Sequence, residues 1–132
     1  MIALDTNVLV RYLADDDPVQ SPIAGRIVEE TVEKDDLLFL SEVVIVETVW
    51  VLARAYHKSR QEIANVLDHI LRARHFEFRD EPLLARAIRA YTAGKADFAD
   101  YLIRELSLDA GCDYLVTFDR SLWKDDHVRK AK

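Results

Sequence analysis

Short apolar or alternating runs recur along the chain at 2–4, 37–40, 75–78 and 114–118, and between them apolar residues return at helical spacing. This alternation constrains the fold more than any other feature. Strands interleaved with helices build a mostly parallel sheet covered by helices, and sites on such sheets form beyond the carboxyl ends of the strands. The pattern predicts helices over 6–13, 19–33, 41–56, 60–72, 80–91 and 97–108. Val19, Ile23, Ile27, Val28 and Val32 set the apolar stripe of the second, and Ser59 with Glu62 forms a capping box that opens the fourth. Two of the strands run straight into an aspartate: "IALD" ends at Asp5 and "YLVTFD" at Asp119.

With 132 residues, half of them apolar, the chain is sized for one domain spanning 1–132 with one core. No Gly/Ser-rich or Pro-rich tract offers a linker, and no fixed-period repeat is present. The longest apolar run, "VVIVETVWVLA", is too short for a bilayer and contains Glu47, and the N-terminus lacks a signal-peptide pattern. Cys112 is the sole cysteine, which fits a reducing compartment, so a cytoplasmic location is expected and no membrane. A formal charge of −6 argues against coating nucleic acid by general attraction. Neutralising five acids with bound cations would bring it to −1, so a metal-assisted action on nucleic acid stays open.

Five acids stand out. Glu47 has Val43, Val44, Trp50 and Val51 three and four positions away, so an ionised carboxylate there needs either an arginine or a metal ion. Asp97 and Asp100 lie three apart on one side of a helix; Asp97 also reads as an N-cap, whereas Asp100 has no capping duty. Asp5 and Asp119 both follow strands, and for Asp119 an aspartate starting a turn is the ordinary alternative. Asp15, Asp16 and Asp17 read as a solvated loop with an N-cap for the next helix. Oxygen ligands from separate elements suit Mg²⁺ or Mn²⁺, which keep several waters. The four histidines form no zinc-like pair and the three glycines form no phosphate loop.

"ALDTNVLVRYL", "SEVVIVETVWVL", "KADFADYLI" and "CDYLVTFDRSL" resemble, in order, the successive acidic motifs of PIN-domain ribonucleases, and most closely the VapC-like toxins of toxin–antitoxin modules. The resemblance implies an α/β/α sandwich with a central, mostly parallel sheet of four or five strands, although "HVRKAK" is a poor final strand. It further implies Mg²⁺- or Mn²⁺-dependent cleavage of RNA to 5′-phosphate and 3′-hydroxyl ends. Asp5, Glu47, Asp100 and Asp119 would surround the metal, with Asp97 as a further ligand or supporting group. Thr6, Asn7 and Thr117 would orient them. Arg11, Lys95, Arg120 and Lys124 are near the motifs and are candidates for steering RNA. A homodimer neutralised by a cognate VapB-like antitoxin is also implied, and the apolar residues of the first two helices offer surface for it. Two other readings are a non-catalytic PIN-like module and a haloacid-dehalogenase-type phosphatase. The second requires an acid two residues after Asp5, where this chain has Asn7.

Overall fold

The computed structural model describes residues Met1–Lys132. The elements in chain order are β1 (Ile2–Ala3), α1 (Thr6–Ala14), α2 (Gln20–Glu33), β2 (Leu38–Phe39), α3 (Glu42–Arg54), α4 (Arg60–Arg72), β3 (Phe76–Glu77), α5 (Glu81–Ala93), α6 (Phe98–Asp109), β4 (Leu115–Thr117), a 3₁₀ turn (Arg120–Leu122) and β5 (Val128–Lys130). They fall into two compact units, Met1–Glu81 and Pro82–Lys132. Every strand pairing is parallel, as an alternating α/β pattern requires.

In the first unit the sheet order is β1-β2-β3, with Ile2 opposite Leu38 and Leu38 opposite Phe76. Leu38 and Leu40 are buried, as are Leu9 and Val10 of α1, Ile45, Val49 and Leu52 of α3, and Ile63, Leu67 and Ile70 of α4. Fully burying one such side chain stabilises by roughly 1.5–3 kcal/mol, so this set dominates the unit's stability. Local signals fix the helix starts. Ser41 Oγ accepts from Val44 N, and Ser59 and Glu62 complete the anticipated capping box. In the acidic loop Asp17 does the capping, its Oδ1 accepting from both Val19 N and Gln20 N.

In the second unit β4 and β5 form their own parallel pair, with Val116 opposite Arg129. The buried side chains Leu83, Leu84, Ala87 and Ile88 of α5, Phe98, Tyr101 and Leu102 of α6, and Leu122 form its core. Tyr101 is the hub of this unit. Its hydroxyl donates to Asp125 Oδ2 at 3.0 Å and accepts from the amides of Lys95 and Ala96.

Several expectations need correction. The single sheet of four or five strands is divided into a three-stranded and a two-stranded sheet. A fifth strand does form in "HVRKAK", because β4 supplies its hydrogen-bonding partner. The first strand is not buried: Ile2 and Ala3 are exposed at the sheet edge, and burial begins at Leu4. On α2 the buried stripe is Ser21, Ala24, Val28 and Thr31, while Val19, Ile23 and Val32 are exposed. Small residues let α2 lie close against α1, and the larger apolar ones turn outward. Four non-glycine residues, Asp15, Asp35, His57 and His127, take left-handed backbone angles with φ between 50° and 59°.

Candidate functional site

The five acids are divided between the two units. In the first, Asp5 follows β1 and N-caps α1, its Oδ1 accepting from Thr6 N at 2.8 Å. The cap fixes the carboxylate at the strand's end and occupies one of its oxygens. Thr6, itself buried, donates from Oγ1 to Glu47 Oε1 at 3.0 Å, tying the start of α1 to the middle of α3. Glu47 is therefore held by a neutral hydroxyl, and the arginine alternative has no counterpart among the ion pairs. Its surroundings are also wetter than its apolar neighbours suggested, because Val43 and Trp50 on that side of α3 are exposed along with it. Asn7 is exposed at the start of α1.

In the second unit, Asp97 N-caps α6 through Oδ1 to Phe98 N at 2.9 Å. Asp100 is half-buried in the same first turn. Burial first, and then the charges of Asp119 and Asp97, push the Asp100 carboxyl above the usual carboxylate range. Asp119 behaves oppositely. Its Oδ1 accepts from the hydroxyl and the amide of Ser121, at 2.6 and 2.9 Å, and these bonds hold it below that range. Thr117 Oγ1 accepts from Asp119 N at 3.0 Å, fixing the backbone that carries the carboxylate. Ser121 was missed by the sequence reasoning. An aspartate with a serine two residues on is the signature of a side-chain-closed turn and could have been read.

Of the basic residues near the motifs, Arg11 is committed elsewhere. It bonds Gln20 and the Tyr56 hydroxyl and faces Asp16 and Asp17, so it ties the α1–α2 loop to the end of α3. Arg120 covers the Trp123 ring at 5.7 Å, and Lys124 is exposed.

All the donors are carboxylate oxygens, which fits a hard divalent cation and fits zinc poorly. No three histidine, cysteine, aspartate or glutamate side chains are gathered as a ready-made cage. Mg²⁺ does not require one, since it is commonly held by one or two carboxylates together with water and substrate phosphate. Asp100 supplies the observation that bears on fit: its neighbours are like charges, and a bound cation would relieve them.

The family model of the PIN domain matches residues 2–125. This chain belongs to the PIN-domain family. It is also 31% identical, over 94% of its length and 91% of the other protein's, to a VapC ribonuclease of Aquifex aeolicus (strain VF5). The α/β class and parallel pairing of this PIN domain agree with the expectation from its motifs. No helix in it is long and apolar enough to cross a membrane.

Proposed function

We propose that this PIN domain is a cytoplasmic, divalent-metal-dependent ribonuclease and the toxin of a toxin–antitoxin module. One observation carries the chemistry: Asp100 is half-buried in the first turn of α6, and burial first, then the Asp119 and Asp97 carboxylates, push its carboxyl up. Such an arrangement is unfavourable for stability and suits a cation-dependent site. The similarity to a VapC ribonuclease supports RNA as the substrate.

In the second unit Asp100 and Asp119, with Asp97 in support, would hold Mg²⁺ or Mn²⁺, and in the first unit Asp5 and Glu47 are the acids that the motifs put forward as metal ligands. When bound, such an ion neutralises phosphate charge and makes water more acidic. The protein's own part is positioning. Thr6 orients Glu47, the α1 cap fixes Asp5, and Thr117 and Ser121 fix Asp119. The carboxylates accept hydrogen bonds from the attacking water and draw off its proton as its oxygen adds in line to the phosphorus; the P–O3′ bond breaks opposite, and the leaving O3′ takes a proton from solvent water, giving 5′-phosphate and 3′-hydroxyl ends.

The partners proposed are a second copy of the chain and a VapB-like antitoxin. Their support is the groove of about 270 Å³ lined by Asn7, Val8, Arg11, Gln20, Ile23, Ala24 and Ile27, into which an apolar helix face could dock. Purified protein, freed of any partner, should cut RNA with Mg²⁺ or Mn²⁺ and not with EDTA. Absence of cutting under every metal condition would leave a non-catalytic binding module as the better reading.

A further inference from the structure

Next to Asp119 lies a surface that the carboxylate chemistry does not use. Tyr114, Val116 and Phe118 alternate along β4 and its flanks, and they are 40%, 57% and 82% exposed. Val116 lies in β4 and Tyr114 and Phe118 flank the strand directly, so three exposed apolar side chains are gathered within five residues. Phe118 is the most exposed of the chain's large apolar side chains, and it immediately precedes Asp119. A phenylalanine ring in water has no local stabilising role in this turn, where the hydrogen bonds are made by Thr117, Asp119 and Ser121.

Cations accompany the neighbouring rings. Arg129, opposite Val116 in the register, lies over the Tyr114 ring at 4.2 Å. On the opposite side of the ladder, where Lys130 pairs with Thr117, Lys130 lies over Trp123 at 4.6 Å and Arg120 covers the same ring at 5.7 Å. Residues 114–132 hold five basic and three acidic side chains, a net of +2 in a chain of −6. Exposed aromatics interleaved with cations are the makings of a single-strand platform, in which bases stack on rings and cations track the phosphates. Paired bases in a duplex are already stacked and offer no face to such a ring.

We infer that the exposed face of β4–β5, centred on Phe118 and Arg129, is a stacking platform for an unpaired RNA base beside the scissile phosphate. Its substrate class rests on the ribonuclease reading. Phe118 takes the base, and Arg129 the adjoining phosphate. The platform directs the nuclease to unpaired segments without reading a particular base, because every base presents a π-face.

The test uses the full chain in EDTA, so that binding is measured without cleavage. The probes are a fluorescein-labelled single-stranded RNA of about a dozen nucleotides and the same sequence as a duplex. Wild type should prefer the single strand. Phe118→Ala and Phe118→Leu should weaken that binding about tenfold or more, and Phe118→Trp should restore it. Arg129→Ala should weaken binding and flatten its salt dependence by about one phosphate contact. A 2-aminopurine in the strand should be quenched by wild type and not by Phe118→Ala. Equal affinity of Phe118→Ala and wild type, or equal affinity for duplex and single strand, overturns the platform. So does a change in oligomeric state on Phe118→Ala with RNA affinity unchanged, which would make the face a protein contact. RNA held through Phe118 but never cut with Mg²⁺ or Mn²⁺ would keep the platform and sink the nuclease reading.

Discussion

Thr6 Oγ1 donates a 3.0 Å hydrogen bond to Glu47 Oε1, linking residues 41 positions apart and making a buried threonine the support of an exposed carboxylate. Thr6→Val keeps the shape and removes the donor. Cleavage should fall by about tenfold or more, the usual cost of losing a group that orients a ligand. Thr6→Ser should retain most activity. The same loss in both variants, matched by a fall in Tm, would show that Thr6 serves packing alone.

Glu47→Gln separates ligation from structure. With no cation partner to lose, the variant should melt near wild type, while Mn²⁺ affinity and cleavage fall. Calorimetric Mn²⁺ titration of the folded variant is the deciding measurement. Unchanged affinity would remove Glu47 from the ligand set.

Asp100→Asn should abolish cleavage and stabilise the metal-free protein near neutral pH. The sign follows from linkage. The folded state raises the Asp100 pKa, so it binds that proton more tightly than the unfolded chain does. This stabilisation is complete below the ordinary carboxylate pKa and is lost as pH rises through the folded value. The Tm advantage of the asparagine variant should therefore be present at pH 7 and shrink below about pH 4. An advantage independent of pH would point to a cause other than charge.

Ser121→Ala removes the hydroxyl hydrogen bond, the larger of the two that depress Asp119, and leaves the amide bond in place. The Asp119 pKa should rise, and because its carboxylate must be ionised, the acid limb of the cleavage profile should move to higher pH. Carboxyl NMR titration follows the group directly. A limb that stays in place would mean that Asp119 does not control it.

Gly94→Ala tests the Tyr101 hub. A methyl group at Gly94 would collide with the Tyr101 hydroxyl and crowd the Ala90 carbonyl oxygen. The expected loss is about 1–3 kcal/mol, several degrees of Tm. Adding Tyr101→Phe to Gly94→Ala removes the hydroxyl and should cost less than the two single changes together. Simple additivity would place the strain elsewhere.

Much of the fold was legible because each strand is a short apolar run bracketed by helix caps. Ser59 and Asp97 cap as their sequence contexts suggest, and Ser41 and Asp5 cap their helices as well. Strand ends were read one or two residues too long, since Tyr114 and Phe118 are apolar yet lie outside the ladder, which needs a partner as well as a side chain. The α2 stripe was misread because apolarity was weighed above size. Ser21 and Thr31 bury well when bonded, Ser21 to Asp17 N and Thr31 to the Ile27 carbonyl, and they permit closer packing than isoleucine. The five acids stand out in the sequence as types in a pattern. Their supports stand out less: Ser121 contributes through a turn two residues long, and Thr6 through a contact 41 residues away that no periodicity encodes.

The four left-handed residues bear on how this sequence could evolve. An L side chain at such a backbone angle carries a strain of about 1 kcal/mol or more that glycine lacks. Aspartate and histidine are among the non-glycine residues that adopt it most readily, so Asp15, Asp35, His57 and His127 are all modest departures. None of these positions is among the five acids. The chain therefore retains headroom that single substitutions to glycine could release at the turns. A lineage could spend that margin on destabilising changes elsewhere, the five acids included, while keeping the same fold.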